Sequence, residues 1–198
     1  IKRLLFIYFV NFFSEKKIFN FIFFQLIKIA YFKNYSLILK FIRPDHNPYH
    51  KSNLPKYYFK KISEIQAKFL RIQLKNIFID QDLRKKIALV YKTKLRNIKE
   101  IRIIDESNFD YRNHLEFPIL CENRDDLFFF LLKKNIDVRK FYYRNCSKLK
   151  IYKKYFSKCP NADKMEKSIL SLPCYPGYSI YNVNKIINEI SEFYKKKI

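Results

Sequence analysis

The chain has 198 residues and a single glycine, Gly177, and that scarcity limits its backbone more than any other feature. Glycine takes up positive φ without strain and lets backbone approach a ligand closely. A chain so poor in it carries no glycine-rich phosphate loop and no nucleophile elbow. The exception sits in ILSLPCYPGYS, residues 169–179. Pro176 presets φ at the first corner of a turn and Gly177 accepts positive φ at the second, so a type II turn is expected. It delivers the chain to Ser179 as a helix N-cap, with Tyr178 placed for a hydrophobic staple against Val183.

Scarce glycine goes with an overall bias toward Lys, Ile, Phe, Tyr and Asn, as an AT-rich coding sequence would write. The net charge of +23, from 41 Lys+Arg against 18 Asp+Glu, is therefore weak evidence for a polyanionic partner. The cations are scattered rather than gathered into a block, which reads as a solvated surface and not as a specific nucleic-acid site. Cys121, Cys146, Cys159 and Cys174 form no C-x-x-C pair and have no histidine at ligand spacing. Reduced structural cysteines and a cytoplasmic setting are expected. The chain opens on Ile1 with no processing signature, and it is expected to be a piece of a longer protein.

Two organisational units are expected. Residues 1–50 hold two apolar runs, 4–13 and 18–32, separated by Ser14, Glu15, Lys16 and Lys17. Neither run reaches the roughly 20 apolar residues of a membrane span. They read either as a helical hairpin lying on a partner or an anionic membrane surface, or as core helices of a domain. A proline-containing linker over 43–56 leads into residues 51–198.

In that second unit, Ser63 followed by Gln66 forms a capping box, and helical spacing of Ile65, Phe69, Ile72, Leu83, Ile87 and Val90 over 63–98 reads as one long helix, or as two in succession with a break near Asp80 and Gln81. A strand is expected over 114–121. A helix capped by Asn123 follows through Lys134, and 136–143 is extended. Asn161 opens a helix over 163–170. Val183, Ile186, Ile187, Ile190 and Phe193 make the buried stripe of a last helix. The pattern is α+β, a small antiparallel or mixed sheet covered by helices, preceded by an apolar helical hairpin. No H-E-x-x-H motif is present, and His46, His50 and His114 read as ordinary polar residues.

Two longer stretches carry a resemblance. KKISEIQAKFLRIQLKNI from Lys60 resembles the segment that opens the small C-terminal domain of DegT/DnrJ/StrS-type aminotransferases, pyridoxal-phosphate-dependent enzymes of fold type I. FPILCENRDDLFFFLLKKNIDVRKFYY and KYFSKCPNADKMEKSILSLPCYPGYSIYNVNKIINEI resemble the family's ending, of which L-S-L-P-x-Y-P-G is the most specific part. The likeness covers about residues 57–198, and residues before 50 resemble, more weakly, an apolar insertion of some exopolysaccharide-pathway members.

That resemblance implies the small domain of a nucleotide-sugar aminotransferase of polysaccharide biosynthesis, moving an amino group from an amino-acid donor to a keto-sugar. The Schiff-base lysine, the aspartate for the pyridinium nitrogen and the stacking aromatic belong to the family's large domain, so this chain is not expected to catalyse alone. The family's asparagine and arginine that reach the cofactor phosphate of the neighbouring subunit align with Phe59 and Lys61, and Lys60 matches a second arginine. The resemblance thus implies pyridoxal 5′-phosphate contacts from Lys60 and Lys61 across a homodimer. It places Arg139, Tyr142 and Tyr143 beside the substrate, although Arg144 stands where the family has proline. Two other classes stay open at this point: a basic module on a membrane surface, using residues 1–32, and an RNA-binding protein.

Overall fold

The computed structural model describes residues 5, 8, 9, 12, 15–42, 53, 54, 56–104, 108–140 and 144–196. The expected linker lies largely outside these residues, as does most of the first apolar run. Within the described part the architecture is α+β, with one antiparallel sheet and helices around it.

Residues 5, 8, 9 and 12 are helical; helix α1 then joins Lys16–Ile18, a π-helical turn Phe19–Phe23 and Phe24–Phe32, and a short α2 spans Ser36–Ile42. Phe24 and Ala30 are buried. Tyr31 meets Phe128 edge-on at 5.0 Å, and Phe32 lies 5.4 Å from Phe129. Both partners belong to α4, Arg124–Lys133, so the apolar N-terminal segment packs directly on the sheet-bearing part. The polar seam there is Asn135, whose Oδ1 accepts from Lys28 Nζ at 2.7 Å and from Gln25 Nε2 at 3.4 Å. No described helix is long and apolar enough to cross a membrane.

Helix α3 runs unbroken over Glu64–Leu95, one long helix rather than two separated at Asp80 and Gln81. Neither residue is a helix breaker, and the hydrogen-bond ladder simply continues through them. Its start is the expected capping box: Gln66 N–H donates to Ser63 Oγ and Ser63 N–H donates to Gln66 Oε1. At 1.5 Å per residue the helix is about 48 Å long, and its two halves differ in kind. Ile87, Ala88, Tyr91 and Leu95 are buried, whereas Ile65, Phe69 and Ile72 are 69%, 65% and 59% exposed.

Three strands follow: β1 (Ile101–Ile103), β2 (Phe117–Cys121) and β3 (Ile169–Leu172). They pair antiparallel in the order β1-β2-β3, with Ile103 opposite Ile119 and Phe117 opposite Leu172. Pro118 stands where β1 has already ended, the edge-like place that proline takes in strands. Alternation sends Phe117, Ile119, Cys121, Leu170 and Leu172 into the main core. There they meet α4 and α6 (Ile180–Lys195), whose stripe of Val183, Ile186, Ile187, Ile190 and Phe193 is buried as expected.

Several boundaries depart from the sequence reading. Strands β1 and β3 are too short, at three and four residues, to show a period. The helix expected from Asp163 begins at Pro160, because proline costs nothing at a first helical position (α5, Pro160–Ser168). Asn123 occupies the N-cap of α4 without a side-chain capping bond, and Asp125 and Asp126 supply the negative charge of the first turn instead. The extended segment after α4 makes one bridge, Arg139 to Ser171, and residues 141–143 lie outside the described set.

Positive φ is shared out sparingly. Gly177 has φ +84°, and Tyr178 N–H donates to Tyr175 O at 3.1 Å, which is the expected type II turn. Elsewhere among the described residues His114 (φ 48°) and two asparagines take positive φ. Asn34 (φ 51°) and Asn135 (φ 59°) follow α1 and α4, and the next residues close the helices by Tyr35 N–H to Ala30 O and Ile136 N–H to Leu131 O. These are Schellman closures with asparagine at the left-handed position. A Cβ on residue 177 would touch nothing within 4 Å, so Gly177→Ala tests backbone strain alone. It should cost about 1–2 kcal/mol, read as a lower urea midpoint with an unchanged m-value, and Gly177→Asn should cost less.

Candidate functional site

The bridge between Arg139 and Ser171 builds a concave site on the edge of the sheet. Arg139 N–H donates to Ser171 O at 3.1 Å and Ser171 N–H to Arg139 O at 2.7 Å. Alternation along the bridging segment buries Ile136 and Val138 and turns Asp137 and Arg139 outward together. Ser171, buried between core residues Leu170 and Leu172 in β3, donates from Oγ to Glu116 Oε2 at 2.7 Å. With the turn that follows β3, these residues enclose a pocket of about 260 Å³ lined by Leu115, Glu116, Asp137, Arg139, Ser171, Leu172, Pro173, Cys174 and Tyr175.

Pro173, Cys174 and Tyr175, which lead into the glycine turn, form one wall of this pocket and are held from beneath. Tyr91 of α3 is fully buried, stacks on Phe117 at 5.1 Å and donates its hydroxyl to Pro173 O at 3.3 Å. Cys174 Sγ donates to Arg84 O at 3.4 Å, and burial pushes its thiol pKa to about 12, so it is inert packing rather than a nucleophile. The rings of Tyr175 and Tyr178 lie 4.9 Å apart across the turn. Burial, then Tyr175, then Asp137 raise Tyr178 to about 12.

Asp137 is exposed as a residue, yet its carboxyl stands in the crowded concavity. Desolvation raises its pKa above the ordinary aspartate value, with Arg139 opposing the shift. Neither Asp137 nor Arg139 makes a side-chain hydrogen bond or ion pair to another described residue.

Of the residues expected from sequence, Arg139 lines this pocket. Tyr142 and Tyr143 lie outside the described residues. Lys60 and Lys61 lie in the extended stretch just before α3, both exposed and neither paired with a described residue. Two ammonium groups ahead of a helix N-terminus are chemically fit for a phosphate, whereas Phe59, 76% exposed beside them, offers no hydrogen bond. Glu116, Asp137, Ser171 and Tyr175 were not expected at a site, although the period of two in the I-D-V-R segment already places Asp137 on the face of Arg139. No group of three metal-ligating side chains occurs among the described residues, and the four cysteines are free.

Residues 43–191 match the sequence pattern of the DegT/DnrJ/EryC1/StrS aminotransferase family. The chain belongs to that family. A dTDP-4-amino-4,6-dideoxy-D-glucose transaminase of Shigella dysenteriae is 30% identical over 139 residues, which are 67% of this chain and 38% of that protein. A DegT/DnrJ/EryC1/StrS aminotransferase from Brucella abortus superposes with a TM-score of 0.63 at 24% identity, covering 75% of this chain and 39% of that one. A putative sugar aminotransferase of Streptococcus pneumoniae, solved in its PLP form, gives 0.60 at 18% identity, covering 70% and 37%. The chain thus spans about two fifths of the length of the relatives it matches. The family depends on pyridoxal phosphate, and the small antiparallel sheet with its helices is a fold these aminotransferases share.

The pocket carboxylate gives the DegT/DnrJ/EryC1/StrS chain a pH signature. An aspartate whose folded pKa is raised stabilises the fold below its unfolded pKa and loses that contribution as pH rises through the folded value. Asp137→Asn should therefore raise the urea midpoint at pH 7, and the gain should vanish near pH 3.5, below the unfolded aspartate range of about 3.9.

Proposed function

We propose that this chain is the small-domain part of a pyridoxal-phosphate-dependent nucleotide-sugar aminotransferase, which transfers an amino group from an amino acid, glutamate first among candidates, to a keto-sugar for surface polysaccharide. The observation that carries the reading is the family match over residues 43–191 together with the 30% identity to a dTDP-aminosugar transaminase. When bound, the cofactor supplies the electron sink that lets nitrogen pass between donor and sugar carbon. The residues of this chain would bind and orient. Lys60 and Lys61 offer point charges to the cofactor phosphate of the neighbouring subunit in a homodimer, without the bidentate fork of arginine. Arg139, with Tyr142 and Tyr143 beyond it, faces the sugar.

The exposed half of α3 supports the same reading. Ile65, Phe69, Ile72 and Ile79 leave a row of apolar side chains in water on one face of the helix, and Leu70, Leu74 and Phe78 leave another on the opposite face, more than a monomeric surface usually carries. The cofactor-binding domain that makes up the rest of the relatives' length would cover them. Phe21, Ile22, Leu26 and Leu37 give α1 and α2 a second outward apolar face for that domain, its dimer mate or a membrane surface. The protein would act in the cytoplasm.

Two measurements test the proposal. Residues 1–198 alone, incubated with pyridoxal phosphate and reduced with borohydride, should carry no stoichiometric pyridoxyl group on one lysine. The same chain joined to the family's catalytic domain should exchange nitrogen between glutamate and a dTDP-linked 4-keto-6-deoxy sugar. Lys61→Ala in that protein should weaken cofactor retention about tenfold, as expected for the loss of one charge-assisted phosphate contact. A two-domain protein that holds the cofactor but aminates no nucleotide-linked keto-sugar would refute the reading.

A further inference from the structure

Helix α1 is seated on the fold by one side and leaves the other in water. At 3.6 residues per turn, Phe24, Lys28 and Tyr31 fall on one side, and Ile22, Leu26, Ile29 and Lys33 fall in line on the opposite side. The first set makes the attachment: Phe24 is buried, Tyr31 meets Phe128 edge-on, and Lys28 donates to Asn135 Oδ1. Every member of the second set is exposed. Phe21 in the π-helical turn and Leu37 in α2 are 80% and 81% exposed. A contiguous stretch of chain thus presents large apolar side chains outward, which marks an interaction surface.

Charge selects what covers it. Residues 1–42 hold seven cations, Lys2, Arg3, Lys16, Lys17, Lys28, Lys33 and Lys40, against one acid, Glu15. That acid is engaged at the start of α1, where Glu15 Oε2 accepts from the Lys17 and Ile18 N–H groups at 3.1 Å each. Lys17 and Lys33 are exposed, so ammonium groups stand at both ends of the apolar stripe. A protein partner matches this poorly, because interface cores are depleted in lysine. The exposed rows of α3 already offer the relatives' remaining domain a surface of its own. An anionic bilayer surface matches both parts of the stripe: acyl chains accept isoleucine and leucine, while lysine heads reach acidic headgroups from stems laid along apolar surface. Helix α1 is about 26 Å long at 1.5 Å per residue, and no described helix is long and apolar enough to cross a membrane. The fit is therefore to a helix lying in the interface plane.

We propose that α1 and α2 attach this protein to an anionic lipid surface, with Ile22, Leu26 and Ile29 entering the headgroup and acyl boundary by about 5–10 Å and Lys17 and Lys33 on acidic headgroups. The opposite side of α1 packs on α4, so the sheet and its edge pocket stand away from the bilayer. The inference does not rest on the aminotransferase reading.

The chain has no tryptophan, so Leu26→Trp puts a single indole on the stripe. It is mixed with vesicles of phosphatidylcholine, with and without phosphatidylglycerol, whose brominated acyl chains quench an indole that enters them. Leu26→Trp emission should shift to the blue and be quenched on the phosphatidylglycerol vesicles, whereas Phe69→Trp on the exposed half of α3 should not be. Flotation of the parent chain should show binding that weakens as salt rises from about 0.1 M to about 1 M, over which the Debye length falls from about 10 Å to about 3 Å. Lys17→Gln and Lys33→Gln should each weaken binding about fivefold. Ile22→Gln, Leu26→Gln and Ile29→Gln together leave the net charge unchanged and should weaken it about tenfold or more. These side chains are exposed, so thermal melting should show each variant folded as the parent is. Vesicles that float the chain yet leave Leu26→Trp unquenched would show adsorption by net charge alone and overturn the proposal. Equal quenching of Phe69→Trp would show general stickiness and do the same. It also falls if the triple variant floats as the parent does, or if light scattering finds a dimer that the triple variant dissolves and that binds no vesicle.

Discussion

The arrangement hangs on Tyr91. Its ring lies on Phe117, the first residue of the central strand, and its hydroxyl reaches Pro173, the first residue after β3. One side chain thereby fixes the buried half of α3 against the sheet and pins the segment that turns into α6. Without that seat, α3 keeps Ile87, Ala88 and Leu95 as its buried residues, with Val90 packed partly against the core, and its first half stays exposed. The pocket inherits the same dependence, since Pro173, Cys174 and Tyr175 form its wall. Removing a buried aromatic of this size typically leaves a cavity worth about 3–5 kcal/mol, a large part of a small domain's whole stability. Packing beneath the sheet edge and chemistry above it are in this sense one feature.

How much of this was legible in the sequence depends on the range of the signal. The capping box at Ser63, the cap at Ser179, the buried stripe of α6 and the type II turn at Gly177 are local, set by residues within four positions of one another, and all are found as read. The short strands β1 and β3 owe their existence to pairing with β2 rather than to their own pattern, and a three-residue strand has no period to detect. Helical spacing through Ile65, Phe69 and Ile72 gave the helix correctly but not its burial, because periodicity reports a face and says nothing of what lies against it. The pocket required contacts between residues 55 positions apart, Glu116 and Ser171, which no local pattern carries. Only the family resemblance pointed at Arg139, and it did so without its neighbours.

Charge takes on a different meaning once placed on the fold. The excess of 23 positive charges spreads over the exposed surface, while the concavity at the sheet edge is lined by more carboxylates than cations. Net charge thus describes the solvent shell of this protein and not the chemistry of its pocket. The buried cysteines make the same point in miniature: Cys121 and Cys174, with thiols pushed up to about 11 and about 12 by burial, behave as small apolar residues.

Asn135 shows what a glycine-starved sequence can gain. At the end of α4 a glycine would close the helix with less strain, and its backbone there would be a routine choice. The asparagine that replaces it also offers an oxygen, and that oxygen is where Lys28 and Gln25 of α1 attach. A compromise in local backbone geometry has become an anchor point for a separate part of the molecule. Restoring the residue preferred by general helix statistics would relieve the turn but remove both polar ties to the N-terminal helix, leaving its aromatic packing as the junction, so a repair made position by position would weaken a contact that only the tertiary structure reveals.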